Sequence, residues 1–406
     1  MLPRRSTLLA AIATIFAPCL AWAQAHRPAR PPSAPGRQRQ PSTASGSPAQ
    51  TPLGAIDTVA KFALAIDFNS GATLLDKGGE MPMPPSSMTK LMTAYLVYTA
   101  LKSGRLKLTD ELTVSERAWK MGGSKMFVQV GSLVKVEDLI RGMIVQSGND
   151  ACIVLAEALA GSEENFAEQM TVKARELGLT GSFFRNSTGW PDPSHRMSPR
   201  DLAMLARRII LDFPEYYHYD SEKSFKYNGI EQVNRNPLVQ KGTADGLKTG
   251  HTEEGGYGLV ASALRGGRRV ILVINGLNSM RQRAEEADRL LEWCFREFEI
   301  VNLIKADDVL DKAPVWLGES PTVPLVTGRD LALTLPRNWR RNVQIALRFD
   351  TPVKAPVTKG DRLGTLAVSG QGVPPMDLPL LAGTDVPRLG LPGRAMGVLS
   401  RMLTKG

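Results

Sequence analysis

Apolar residues change their period along the chain, and the changes divide it. Between Lys61 and Leu75 two short apolar runs flank Asn69-Ser70-Gly71, the pattern of two strands joined by a tight turn. Pro82, Pro84 and Pro85 then break the chain. From Ser87 to Leu101 the residues Met88, Leu91, Met92, Tyr95, Leu96 and Tyr98 supply the apolar surface of a helix. Further helices are expected over 136–145, 150–160 and 162–177, the last capped by Ser162 with Glu163 and Glu164 in its first turn. Ser198-Pro199-Arg200-Asp201 reads as a capping box with proline at the first helical position, opening a helix through Ile210. Leu247, 257–264 and 270–275 then read as strands, and 285–298 as a helix. The pattern predicts an α/β (α+β) domain over residues 53–298, its strands drawn from both ends of the segment. Beyond it, short alternating runs such as 331–335 and 343–349, punctuated by Pro and Gly, predict a small all-β domain over residues 299–385.

The two ends of the chain have other patterns. Residues 1–25 read as an export signal: Arg4 and Arg5 precede an apolar stretch of 16 residues, Leu8 to Ala23, ending in small residues at cleavage spacing. That stretch is short for a bilayer span and contains Pro18. Residues 26–52, rich in Pro, Ser, Gln and Arg, predict a flexible linker. In the last segment, 386–406, Ala395, Met396, Val398, Leu399, Met402 and Leu403 fall on one side at helical spacing, with Arg394, Arg401 and Lys405 on the other. A short basic amphipathic helix of this kind lies in an anionic membrane surface, the alternative being packing on the β domain.

Composition changes the picture only in part. The chain is 43% hydrophobic and 22% charged, as globular domains are. Loss of the leader removes two arginines and no acid, leaving 48 basic against 40 acidic residues, a net +8. An exported chain rarely meets nucleic acid, so none is expected as a partner, and anionic lipid is the expected one. Cys152 and Cys294 lie in apolar runs and read as small buried hydrophobes rather than a disulfide. His26, His195, His218 and His251 have no metal-ligand spacing, so no metal or other cofactor is expected.

Three short segments carry candidate chemistry. In Ser87-Met88-Thr89-Lys90 the Ser and Lys share one helical face, one turn apart, so a neutral amine could take the hydroxyl proton. Ser132-Leu133-Val134-Lys135 has the same spacing, but in an alternating segment where the two side chains face apart. In Ser147-Gly148-Asn149 a hydroxyl and an amide project from one turn. In Lys248-Thr249-Gly250 a cation and a hydroxyl could meet a carboxylate, and a glycine at the cleft would let a substrate backbone lie alongside as an added strand.

Each segment alone is weak, but together they occur in one order, 60 and 101 residues apart. In this the chain resembles the low-molecular-mass penicillin-binding proteins, the D-Ala-D-Ala carboxypeptidases of the S11 peptidase type. Ser86-Ser87-Met88-Thr89-Lys90-Leu91-Met92-Thr93, Ser147-Gly148-Asn149-Asp150-Ala151 and Asp245-Gly246-Leu247-Lys248-Thr249-Gly250-His251-Thr252 carry the resemblance, which spans about Ile56 to Gly406. It implies a transpeptidase-type domain, an antiparallel sheet flanked by helices, followed by a β-rich domain. It further implies Ser87 as nucleophile, Lys90 as base and Ser147 as proton relay, with Lys248 behind it. Asn149 would hold the peptide and Thr249 the terminal carboxylate, while the backbone amides of Ser87 and His251 would form the oxyanion hole. An arginine ahead of the helix ending Leu290-Leu291-Glu292-Trp293 is expected to bind carboxylate: Arg283, with Arg281 as a rival. Arg235 either faces the cleft or forms a structural ion pair. Ser86 stands where the family has alanine. The implied partners are peptidoglycan pentapeptide stems and, as covalent inhibitors, β-lactams, at the periplasmic face of the inner membrane. The alternatives are an endopeptidase, a weak β-lactamase or a scaffold. Glu215 lies in the interval of a β-lactamase deacylation loop but lacks its companion Asn.

Overall fold

The computed structural model describes residues 47–395 except 342, 371 and 372. The expected leader, the expected linker up to residue 46 and residues 396–406 of the expected tail lie outside the described residues.

A seven-stranded antiparallel sheet is drawn from both ends of the first domain, as the pattern predicted. Its strands are β1 (Ala49–Thr51), β2 (Gly54–Ile56), β3 (Phe62–Asp67), β4 (Thr73–Lys77), β5 (Gly246–Thr252), β6 (Gly256–Arg265) and β7 (Arg268–Leu277). They lie in the order β2-β1-β4-β3-β7-β6-β5, so β5 is an edge strand. The β3–β4 turn closes on Asp67, whose Oδ1 accepts from both the amide and the hydroxyl of Ser70 at 2.8 Å. β1 corrects the expected linker, since Gln50 pairs with Asp76 on the free side of β4. A polar sequence suffices there because the neighbouring strand supplies the hydrogen bonds.

The sheet is buried on both faces. On one side Leu64, Ile66, Leu247, Val260, Ile271 and Val273 join a core with α1 (Lys90–Lys102), α3 (Val136–Ile144), α4 (Asn149–Ala160), α5 (Glu163–Glu176) and α6 (Pro199–Asp212), with the short α2 (Glu116–Lys120) at its rim. On the other, Ala63, Ala65, Leu259, Ala261 and Leu272 pack against α8 (Met280–Glu297), with the short α7 (Pro237–Lys241) beside it. Leu290 and Leu291 of α8 are fully buried there, each worth roughly 1.5–3 kcal/mol. Residues 149–156 of α4 are buried all round, so this helix runs through the core and delivers its N-terminus from inside it.

Two helix starts depart from expectation. Ser198 Oγ accepts the Asp201 amide, but the Asp201 carboxylate turns to Ser182 Oγ at 2.6 Å, so the box closes on one side only. α8 begins at Met280, five residues ahead of the expected Glu285, because Ser279 Oγ caps the Gln282 amide. The polar run between them masks the start.

Eight further strands between Phe298 and Ala382 form a two-stranded and a six-stranded sheet around an apolar core of their own. The β domain extends past the expected 385: Val357 bridges Val386 and Gly318 bridges Arg388. The helical turn of the tail therefore starts only at Leu391 rather than at 386.

Candidate active site

The prolines that break the chain lead into a 3₁₀ turn, Ser86–Thr89, from which α1 continues. Asn275 Nδ2 fixes its entrance through the Pro84 carbonyl at 3.1 Å. Ser86 sits at φ +51, a left-handed conformation uncommon outside glycine. Its hydroxyl lies 3.0 Å from Thr252 Oγ1, so it ties this turn to β5.

Lys90 is 1% exposed, and its Nζ donates to three acceptors from distant segments. These are Ser87 Oγ at 2.8 Å, Asn149 Oδ1 at 2.7 Å and the Thr188 carbonyl at 2.7 Å. Burial brings its pKa down to about 8. The rival pair is a surface feature: Ser132 Oγ bonds the Gln129 carbonyl and Lys135 is exposed.

The Thr188 carbonyl has no signature in the sequence, and neither have the groups that aim it. Thr93 Oγ1 donates to the Ser187 carbonyl at 2.6 Å. Buried Glu163 accepts from the Ser187 amide at 3.0 Å and its hydroxyl at 2.7 Å, and pairs with Arg117 at 2.7 Å. Gly189, at φ +82, presses on the nucleophile turn: a Cβ there would lie 1.8 Å from the Ser86 carbonyl oxygen. His195 Nδ1 accepts the Arg185 amide at 3.3 Å, which leaves Nε2–H to donate to Thr89 Oγ1 at 2.9 Å. Burial holds this imidazole down at about 4, hence neutral at pH 7.

Asn149 comes to the site from the buried end of α4, and buried Ser147 lies two residues before it in the turn that leads into the helix. Ser147 adopts φ +67, and the Gly148 amide bonds the Gly142 carbonyl at 2.8 Å. Asn149 Nδ2 donates to the Gly122 carbonyl at 2.8 Å, so its amide joins Lys90 to the facing loop. Asp150 holds that loop, accepting from the amides of Met126, Phe127 and Val128.

Lys248 and Thr249, 2% and 5% exposed, come from edge strand β5. Burial drives the Lys248 pKa well below the lysine range, and like charges on Lys90, Arg235 and Arg283 add to this. Gly250 has a packing role that the sequence did not show. A Cβ there would lie 2.9 Å from the Pro85 carbonyl oxygen, so the glycine lets the strand close on the nucleophile turn. Exposed His251 stacks on Tyr257, with ring centroids 3.9 Å apart.

Arg283 lies within the first turn of α8 rather than ahead of the helix. It is 6% exposed, stands 5.8 Å from the Tyr257 ring centroid, and its buried Nε has no hydrogen-bond partner. Burial lowers it to about 10, still charged at neutral pH. Arg281 points away, its side chain 86% exposed and paired with Glu285 at 2.7 Å. Arg235 has no carboxylate at ion-pair distance among the described residues, which leaves the structural ion pair without a partner. Glu215 is exposed. Beside the site opens a cavity of about 620 Å³, with Arg117, Gly122, Thr188 and half-exposed Trp190 in its wall. The arrangement is a hydroxyl with a depressed amine in contact, beside cations that await an anion; it suits attack on a carbonyl next to a terminal carboxylate.

Comparison with known proteins agrees. The family model described as D-alanyl-D-alanine carboxypeptidase matches residues 47–279, and that of the penicillin-binding protein 5 C-terminal domain matches 298–388. D-alanyl-D-alanine carboxypeptidase DacC of Escherichia coli is 39% identical over 340 residues, covering 82% of this chain and 85% of its own. DacA of Haemophilus influenzae is 37% identical over 336 residues, covering 81% and 86%. The crystal structure of penicillin binding protein 5 from Haemophilus influenzae superposes with a TM-score of 0.70 at 37% identity, covering 81% of this chain and 98% of that one. Penicillin-binding protein D2 from Listeria monocytogenes, in its ampicillin-bound form, gives 0.53 at 28% identity, covering 57% and 96%.

Proposed function

We propose, because the chain belongs to the D-alanyl-D-alanine carboxypeptidase family, that Ser87 is the nucleophile with which it removes the terminal D-alanine from peptidoglycan pentapeptide stems. The protein is a serine-type D-Ala-D-Ala carboxypeptidase and a penicillin-binding protein. The observation that carries the residue assignment is the 2.8 Å contact between the Lys90 amine and Ser87 Oγ, with Lys90 buried.

Neutral Lys90 takes the Ser87 proton as Oγ attacks the carbonyl carbon between the two D-alanines. The amides of Ser87 and His251 receive the oxyanion. Thr249, Lys248 and Arg283 receive the terminal carboxylate, and Asn149 the peptide. The C–N bond breaks as a proton passes through Ser147 to the departing amine. Water then cleaves the Ser87 ester. A β-lactam follows the same first step, its ring opening onto Ser87. Because Glu215 is exposed and without the companion Asn, the resulting adduct is expected to be long-lived.

The test is D-alanine release from a muropeptide pentapeptide by the protein and by Ser87→Ala. Release by the first alone supports the assignment. If neither releases D-alanine and a cross-linked dimer is cut, the enzyme is an endopeptidase. If nothing is cut while penicillin still labels Ser87, the substrate assignment is wrong.

We further propose that the mature chain works at the periplasmic face of the inner membrane, held there by its basic amphipathic tail. Among the described residues no helix is long and apolar enough to cross a membrane.

A further inference from the structure

The peptide unit that serves Lys90 lies in a turn with few main-chain hydrogen bonds. All three acceptors of the Lys90 amine are uncharged, and one of them is the Thr188 carbonyl at 2.7 Å. Among the described residues no main-chain carbonyl accepts from the amides of Thr188, Gly189 or Trp190. Thr188 and Gly189 are buried, so their amides need a partner from elsewhere.

Asn186 is that partner. Its Oδ1 accepts from the amides of Thr188 at 3.2 Å, Gly189 at 2.8 Å and Trp190 at 3.0 Å, and from the Thr188 hydroxyl at 3.1 Å. Its Nδ2 donates to the Trp190 carbonyl at 3.0 Å, so the carboxamide spans the turn. Three converging N–H groups make a concave nest for an oxygen that carries negative charge. Only the oxygen of the carboxamide fits there, since its nitrogen cannot accept.

One peptide plane carries this hold to the lysine. The Thr188 carbonyl and the Gly189 amide belong to the same trans unit and point in opposite directions. The bond from Gly189 is the shortest in the nest. Turning that N–H toward Asn186 therefore turns the Thr188 carbonyl toward Lys90. Thr93 and Glu163 hold Ser187, one residue earlier, and do not set this plane. The charged and titratable groups around Lys90 are Cys152 and Asp150 on α4, Glu163 on α5, His195 in the same loop, Arg235, and Lys248 on β5. None of them is among the three acceptors of its amine.

We infer that Asn186 is a positioning residue for acylation: its carboxamide oxygen gathers three amides and so fixes the Thr188 carbonyl on the Lys90 amine that faces Ser87. The inference rests on the reading of Lys90 as the base. Without the nest the Thr188–Gly189 peptide is free to rotate, and the ammonium keeps two acceptors instead of three. Thr93 and Glu163 still hold Ser187, so the loop goes on shielding Lys90 from water. An acceptor lost from a buried ammonium lowers its pKa, and a looser amine is a slower base.

The measurement is the pH profile of penicillin acylation, followed by stopped flow on the full chain, Asn186→Ala and Asn186→Asp. The final stoichiometry of fluorescent-penicillin labelling counts the folded sites. In Asn186→Ala the midpoint is expected to move down by about one unit and the plateau above it to fall roughly tenfold. Asn186→Asp keeps an acceptor for the three amides and adds a negative charge. Its midpoint is expected to move up and its plateau to stay within about threefold. An alanine profile that superposes on that of the unaltered protein overturns the inference, as does a loss of labelled sites with the midpoint unmoved. If the alanine variant takes up no label, the aspartate variant decides: a raised midpoint with the plateau kept supports the inference, and any other profile overturns it. If the unaltered protein gives a flat profile, it is the reading of Lys90 that has failed, and the inference falls with it.

Discussion

At Lys90 burial and hydrogen bonding act in opposite directions. Burial favours the free amine, while three acceptors favour the ammonium. With a pKa of about 8, roughly a tenth of the sites carry the amine at pH 7, against about three in ten thousand at the ordinary lysine value. The neutral form is the base, so penicillin acylation is expected to rise with pH through about 8 and then level. Stopped-flow acylation checks this, and a flat profile would remove Lys90 from the role. Lys90→Arg, charged at every working pH, should lose about 10²–10⁴ in acylation rate. Glu163 is the second residue with a large expected effect. Glu163→Ala strands the Ser187 amide and hydroxyl and unpairs Arg117, so urea unfolding should report a loss of about 3 kcal/mol.

Elements position these residues through close backbone approach. The Gly189 loop and edge strand β5 both press on the turn that carries Ser87. Gly189→Ala is expected to slow acylation more than about tenfold and to lower the melting temperature, since a left-handed backbone and a carbonyl clash act together. A variant that acylates at the normal rate would show that the loop can yield. Most of this scaffold was legible in the sequence because apolar period reports burial directly: the β3–β4 hairpin, α1, α4 and the strands flanking Gly266 are where the pattern put them. The start of α8 was hidden because Met280 to Arg283 offers no apolar face, and one serine cap is a thin signal. In the site, Ser87 and Lys90 were readable because a single helical turn fixes their distance. The Thr188 carbonyl, Glu163 and Asp150 were not. A main-chain acceptor has no residue type, and the two carboxyls serve backbone amides that only the fold brings near.

At the scale of the molecule, Arg337 joins the two domains by donating to the Arg296 carbonyl at 2.7 Å through Nε and to the Glu297 carbonyl at 3.0 Å through its amide. The tail follows the β domain, so its loss should separate location from chemistry. A chain ending at Leu389 is expected to release D-alanine from a soluble peptide as before, while no longer sedimenting with vesicles of anionic lipid. Binding by the full chain should weaken as salt rises. Equal sedimentation by both chains would reject the tail as anchor. The three acceptors of Lys90 lie 3, 59 and 98 residues from it in sequence. An unfolded chain therefore carries an ordinary serine, inert toward water and β-lactam alike. Reactivity arrives with the last of three segments to dock, so the protein keeps its own chemical weapon unarmed until assembly is complete, and the onset of penicillin labelling during refolding would time that moment.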